Sequence, residues 1–449
     1  MKHTIRFVIV GIGASAAITA LTVSCAKRPE AITATPAIRA SWDPSNLQKS
    51  IAFYETRVKR DPRAAIESSA LSGLYLDRYR ETADAADVAR AERFARHSLQ
   101  IRKKNNASGF IRLAQALNAQ HRFKEALAVL DEGHAGTEEG IGRSLRADIL
   151  MELGRYSEAA NTLKPTQAIE GNDELLRPVR ARFLGLSGKS DEAITEMQRT
   201  TRESDANFDV TAPQAAWFHM RTGDMLSGRG RYDEAQSEYK TAVALFPRDF
   251  RSFTGLARMA LEQRDYVASA KWSSKALEIV PSIDALAIAE SAATATGNTS
   301  AASSLRSQID AIARIQRSAG IVYDRQLANY YADHGMNLPV ALSLARKELK
   351  ARQDIYAWDT LAWCAYKNGK LNEAVEASGH ALATGAQDAK LLLHAALINR
   401  EAGRISESAS CTRKCIAANP TYANSNGAPA LLSSLETAVL KPANHEVTR

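Results

Sequence analysis

Small residues recur along this chain at two fixed intervals, and that leaves it few ways to fold. Ala242 and Ala276 stand 34 apart, as do Pro247 and Pro281, Gly369 and Gly403, Ala374 and Ser408, and Ala381 and Cys415. Within that period a spacing of 12 joins Ala114 to Ala126, Ala147 to Ala159, Ala181 to Ala193, Gly223 to Ala235, Ala257 to Ser269, Ala362 to Ala374 and Ala396 to Ser408. A glycine (Gly154, Gly188, Gly230, Gly369 or Gly403) lies between the members of five of these pairs. Two antiparallel helices of about 13 residues, joined by a short turn, account for both spacings. Only Gly, Ala or Ser fits where their backbones come closest, and the glycine ends the first helix in a left-handed conformation. Proline after the second helix stops it. Leu113, Leu117, Phe183, Leu184 and Leu361 fall at inward positions of helical period. One such hairpin cannot bury its own apolar face, so hairpins must stack. The expected class is all-α, an α-solenoid or superhelix of stacked antiparallel helix pairs. Only 24 glycines and 13 prolines in 449 residues also disfavour a fold of many short strands.

The turns carry a recognisable pattern. Gly230, Arg231, Tyr232, Asp233, Glu234 and Ala235 in one unit resemble the turn of the tetratricopeptide repeat. Gly154 to Ala159 and Asn368 to Ala374 repeat the likeness. Tyr239, Ala242 and Pro247 extend it through the second helix, and Ala357, Trp358, Leu361 and Ala365 resemble the first-helix pattern. The small residues of successive second helices are Ala91, Ala126, Ala159, Ala193, Ala235, Ser269, Ser303, Ala341, Ala374 and Ser408, about ten repeat-like units. Their intervals widen at two places. A polar insertion is expected near residues 201–212, and an irregular joint near 311–322. The array spans 46–422, beginning with a lone helix over Leu47 to Val58. Residues 423–449 supply a capping helix, with Leu431, Leu432, Leu435 and Leu440 covering the last exposed face, and a tail.

The first 24 residues read as a signal peptide. Lys2 and Arg6 precede the uncharged stretch Phe7 to Val23, which ends at Ser24 and Cys25. That stretch is shorter than a membrane span and is broken by Gly11, Gly13, Ser15 and Thr19. Leu21 to Cys25 resembles a bacterial lipobox, with Thr22 standing where leucine is usual. The resemblance implies lipidation of Cys25 as the mature amino terminus, and Ala26 after it implies sorting to an outer membrane facing the periplasm. A plain signal or an uncleaved anchor is the alternative. Residues 25–45, rich in Ala, Pro and Thr, form a flexible tether.

Nothing points to an enzyme, and no cofactor is expected. No HExxH, GxSxG, Walker-type or dinucleotide glycine motif occurs in the mature chain, and no two of the nine histidines stand three or four apart. The net charge of +8 comes from interleaved basic and acidic residues without a run of five like charges, so nucleic acid is not an expected partner. Cys364, Cys411 and Cys415 remain in the mature chain. They allow packing roles, a disulfide from Cys364 to Cys411 or Cys415, or a metal site with His380 or His394.

The resemblance implies a concave groove lined by first helices, which in this family holds an extended peptide or a partner's helix. Repeat phase directs Tyr323, Tyr330, Tyr356, Trp363, Tyr366, Lys367, Arg400 and Glu401 toward it, and Trp217, Asp224, Arg182 and Arg258 further forward. Aromatics beside Arg and Lys are the residue types that anchor interfaces. The alternative is that the cluster packs the joint near 311–340, while Trp358 fills a core position. The functional expectation is a non-enzymatic scaffold, lipid-anchored in the bacterial envelope and binding protein or peptide in support of assembly. Binding of polysaccharide or a small ligand is the second reading, and a Cys/His metalloprotein the third. The anchor is directly testable: cells fed a palmitate analogue should label the protein, and a Cys25→Ser variant that still labels would end the idea.

Overall fold

The computed structural model describes residues 42–134, 140–164, 174–207, 209–318 and 325–440. The signal peptide, most of the tether and the final tail lie outside them, as does Tyr323. The described residues are helical with no strand. The order is α1 (Pro44–Arg60), α2 (Ala65–Thr82), α3 (Ala85–Ile101), α4 (Ala107–Ala119), α5 (Phe123–Glu132), α6 (Gly140–Glu152), α7 (Tyr156–Thr162), α8 (Arg177–Leu186), α9 (Ser190–Ala206), α10 (Ala212–Gly228) and α11 (Tyr232–Leu245). Then come α12 (Phe250–Glu262), α13 (Tyr266–Leu277), α14 (Ile283–Ala295), α15 (Thr299–Ser318), α16 (Arg325–Asp333), α17 (Leu338–Ala351), α18 (Ile355–Lys367), α19 (Leu371–Leu382), α20 (Ala389–Glu401), α21 (Ile405–Ala418), α22 (Pro420–Ser425) and α23 (Ala428–Leu440).

The chain forms two compact units. Among the described residues, unit 1 holds those up to Ala181 with those in 195–222 and 240–249, and unit 2 holds 182–194, 223–239 and those from Phe250 onward. In unit 1 each helix from α1 to α7 packs on the next, and α2, α4 and α6 also pack on one another. Unit 2 repeats the scheme. Pairs α12/α13, α14/α15, α16/α17, α18/α19 and α20/α21 follow in order, and their first helices stack in sequence. The architecture is the expected all-α class of stacked helix pairs.

The small-residue slots explain the close approach. Ala126, Ala159, Ala235, Ser269, Ala374 and Ser408 are fully buried, as are Ala114, Ala147, Ala257, Ala362 and Ala396. In two pairs the residues twelve apart touch directly. The Ser269 hydroxyl donates to the Ala257 carbonyl at 3.0 Å, and the Ser408 hydroxyl to the Ala396 carbonyl at 2.7 Å. A larger side chain at such a slot would force the helices apart, a strain of about 1–3 kcal/mol. Around the slots, Leu113, Leu117 and Leu361 are buried, while Phe183 and Leu184 are half-buried.

Three expectations need correction. Ser303 is exposed, and Ala302 fills the buried slot of α15. The turn glycine Gly297, at φ +73°, stands five residues before Ala302, as Gly369 stands five before Ala374. The polar stretch near 201–212 is helical as far as Ala206, so the extra residues lengthen α9 instead of looping out. Pro420 does not merely stop a helix: it opens α22, with Asn419 as the N-cap whose side chain accepts from the Tyr422 backbone N–H. Near the joint, α15 runs for 20 residues. At the C-terminal end α23 packs on α21, burying Leu431 and Leu435.

Gly369 and Gly379 separate conformation from space. A Cβ would meet nothing within 4 Å at either, but Gly369 has φ +70° whereas Gly379 lies within α19. Gly369→Ala should lower stability by about 1–2 kcal/mol through left-handed strain, and Gly379→Ala should raise it by about 0.5–1 kcal/mol. Urea denaturation of the two variants checks the opposite signs.

Candidate functional site

In unit 2 the stacked first helices are joined by a ladder of side-chain contacts. Arg258 of α12 pairs with Asp284 of α14 at 3.2 Å. Glu290 of α14 accepts from Arg306 and contacts His334 Nε2 of α16 at 2.9 Å. Asp333 of α16 accepts from the Trp363 indole of α18 at 2.7 Å and from Lys390 Nζ of α20 at 3.4 Å. Asp359 of α18 contacts His394 of α20 at 3.1 Å, and the His394 ring lies flat on Trp363 with centroids 4.0 Å apart. Apart from Arg306, which comes from second helix α15, each rung uses one residue from each of two first helices. The periodic stack therefore turns scattered positions into one continuous polar face.

The end of the chain returns to this face. Asn419 Nδ2 donates to the Ser227 carbonyl and to the Tyr232 hydroxyl, each at 3.1 Å. Tyr232 donates to Glu262 at 2.6 Å. Arg264 donates to the Ser425 carbonyl at 3.2 Å, and the Ser425 hydroxyl to the Glu262 carbonyl. Gly188 and Gly385 approach so closely that a Cβ on Gly188 would clash with the Gly385 carbonyl oxygen. Unit 2 thus brings α22 and its N-cap into contact with Ser227, Tyr232, Glu262 and Arg264 of its earlier segments.

Burial and neighbouring charges both act on the protonation of this face. Lys390 and Asp333 each keep 39% of their side-chain surface and Arg258 46%, yet burial is the largest influence on all three. Against that burial, Asp333 and Asp359 hold the Lys390 ammonium above its ordinary value. Lys390 and His394 in turn hold the Asp333 carboxyl below its own. Burial pushes the Glu262 and Asp388 carboxyls up, and raises Tyr422 far above the ordinary phenol range.

The residues singled out from repeat phase divide into several environments. Arg258 and Trp363 belong to the ladder, Trp363 being buried. Tyr366 stacks on Trp363 at 5.3 Å, and Lys367 Nζ lies 5.2 Å from the Trp363 ring. Tyr356 is half-buried, with the Arg325 guanidinium 5.7 Å from its ring. Arg400 and Glu401 are exposed at the end of α20, and Arg182 is half-buried in α8. Asp224 accepts from the Tyr239 hydroxyl at 2.8 Å, and Trp217 meets Phe218 edge-on at 5.2 Å in unit 1. Tyr330 is a correction: only 3% exposed, it sits in the apolar cluster of α14 to α20 with its ring against His334. Trp358, expected in the core, is half-buried and stacks on His380 at 4.2 Å.

The disulfide is also corrected, since all three described cysteines are free and buried. Cys364 lies in the cluster around α16 and α18, with its thiol directed at the Ala328 carbonyl. Cys411 and Cys415 lie in a different cluster, with α20, α22 and α23. Burial pushes the Cys364 and Cys415 thiols up to about 12, which makes both unreactive.

Unit 1 holds a second enclosed polar group that repeat phase did not single out. The Arg112 guanidinium lies over Gly73, where an added Cβ would come within 3.0 Å of it, and donates to Gln115 at 2.9 Å. Asp77 pairs with Arg80 at 2.5 Å, yet burial pushes its carboxyl up to about 6. The Trp42 indole donates to Glu81 and meets Phe246 edge-on at 5.1 Å. No sequence signal marks this group, because α2 carries no turn glycine and shows almost no amphipathic pattern.

Comparisons with known proteins bear on the repeat. Residues 220–282, from within α10 to the start of α14, match the tetratricopeptide repeat family. No curated protein sequence matches the chain. Structural comparison aligns the chain with the crystal structure of yeast Tom70 at 14% identity and a TM-score of 0.37, covering 88% of this chain and 93% of that one. A second alignment is to PilW, a widely conserved type IV pilus biogenesis factor, at 18% identity and a TM-score of 0.39, covering 50% of this chain and 97% of that one. Among the described residues no helix is long and apolar enough to cross a membrane.

Asp77 yields a prediction with a definite sign. Its folded carboxyl holds a proton up to about pH 6, against a reference value of 3.8, so the folded state binds more protons between those values. Its contribution to stability therefore falls as pH rises from about 4 to 6. Asp77→Asn should flatten that slope without lowering stability at pH 7.5, as read from urea midpoints across the range.

Proposed function

We propose that this protein is a non-enzymatic scaffold, held by lipid on Cys25 to a bacterial envelope membrane, the outer membrane facing the periplasm. It binds a protein or peptide partner on the first-helix face and supports assembly of an envelope complex. The observation that carries the reading is the first-helix ladder from Arg258 to His394. Such a face presents polar groups at a helical-repeat interval, which suits an extended segment that meets several repeats in turn. The export-type start of the sequence supports an envelope setting. The alternative of a polysaccharide ligand gains little, because Trp363 is already stacked by His394 at 4.0 Å and by Tyr366 at 5.3 Å.

A photoactivatable residue placed at Tyr366 or Arg400 tests the reading in living cells. These positions should yield a discrete partner adduct identified by mass spectrometry. Val267, 79% exposed on second helix α13, should not. Equal adducts from Val267, or none from the first-helix positions, would overturn the proposal.

A further inference from the structure

The sequence has no run of five like charges, yet folding of unit 1 gathers cations that stand far apart along it. At the turn from α1 into α2, the Ala64 N–H donates to the Asp61 carbonyl at 3.1 Å and the Ala65 N–H to the Arg63 carbonyl at 2.9 Å. The Ser98 hydroxyl, near the end of α3, donates to the Ala65 carbonyl at 2.6 Å. The Asn106 amide then donates to the Ser98 hydroxyl at 3.0 Å and to the Arg102 carbonyl at 2.8 Å. These bonds bring residues 59–66 and 102–106 together at one end of the α1–α3 bundle.

That end is basic and open to water. Lys59, Arg60, Arg63, Arg102 and Lys104 are all exposed, and among the described residues none of the five is in an ion pair. Asp61 is the one carboxylate in the two segments. Large apolar groups border the cations. Ile66, in the first turn of α2, is 60% exposed, and Phe53 of α1 is 56% exposed. Phe53 stands two positions from the buried Ile51 and so projects from the opposite side of α1. Arg57 links the two: its guanidinium lies 5.7 Å from the Phe53 ring and bonds Glu67, the neighbour of Ile66, at 2.6 Å. Free cations beside protruding apolar side chains suit a surface that is negatively charged and admits hydrocarbon, which describes the headgroup layer of an anionic bilayer.

The chain order favours that occupant. Cys25 and Pro44, the first residue of α1, are 19 apart, a separation that a fully extended chain spans in about 65 Å. A lipid on Cys25 therefore keeps α1 within reach of one bilayer, and tethering raises the effective concentration of that surface. We propose that the basic end of the α1–α3 bundle docks on an anionic phospholipid membrane, with Phe53 and Ile66 entering its headgroup layer. The proposal rests on the lipid-anchor reading and adds a second contact with the same membrane.

Co-sedimentation with vesicles provides the test. A mature chain without lipid, made with Cys25→Ser behind a cleaved signal, keeps every described residue. It should bind phosphatidylglycerol vesicles at least tenfold more tightly than phosphatidylcholine vesicles, and more weakly as salt is raised. Each cation near such a surface contributes about fivefold, so Arg60→Gln with Arg63→Gln, and separately Arg102→Gln with Lys104→Gln, should each weaken binding at least tenfold. Phe53→Ser should weaken it several-fold, and Arg413→Gln, exposed in unit 2, should change nothing. Equal binding to both vesicle types, or binding indifferent to both double variants, would overturn the proposal. So would displacement from the vesicles by duplex DNA at equal phosphate, which would make the patch a nucleic-acid surface. Palmitate labelling of the unaltered chain reads the anchor by itself, so a chain that labels but ignores phosphatidylglycerol refutes the docking and leaves the anchor standing.

Discussion

The closest approach of two helix backbones governs this protein. At Ala257/Ser269 and Ala396/Ser408 the second-helix serine hydroxyl reaches the carbonyl of its partner helix, so nothing bulkier than a methyl or hydroxymethyl group fits. That limit sets the distance between paired helices, and the distance decides which neighbouring residues face the next pair. Large apolar side chains then fill the remaining inward positions, burying about 1.5–3 kcal/mol each. Turn ion pairs such as Arg155–Glu158 and Arg231–Glu234 recur with the repeat but are exposed and add little to stability. Packing, not surface charge, holds the array together.

From that constraint follows the stacking of first helices in unit 2, and from the stacking follows its ladder of polar contacts. Each rung satisfies groups that stacking would otherwise leave unpaired: Trp363 on Asp333, His394 on Asp359, His334 on Glu290. The rungs also use up binding capacity. Trp363, with both aromatic neighbours stacked on it, acts as structure more than as a free recognition plane. The same stack ties Asn419 to Ser227 and Tyr232, so its later helices meet its earlier segments.

Much of the helix pairing was legible in the residues. Ala126, Ala235 and Ala374 are buried slots as their spacing requires, and the left-handed turn before each is met by glycine at Gly230 and Gly369. His121 occupies the equivalent conformation at φ +58°, where no glycine signals it. The misplacement at Ser303 arose because several small residues cluster there and only the offset from Gly297 selects Ala302. Tyr330 looked like a groove residue because phase alone cannot tell a concave face from the seam between stacked pairs. Cys364 and Cys415 looked pairable because sequence distance says nothing of the separate apolar clusters that enclose them.

The residues alone determined the repeating helix pair, since its signal is local: spacings of five, 12 and about 34 positions that any single unit contains. They also determined which side chains ride on first helices, because helical phase is a local property. Only the tertiary structure decided what those side chains meet. Asn419 meets Ser227 and Tyr232 from distant parts of the chain, and their proximity depends on the small rotation accumulated from one pair to the next. That rotation is a sum of packing choices over the whole stack, so no window of the sequence contains it. The polar contacts of the first-helix face therefore emerge only once the pairs have stacked.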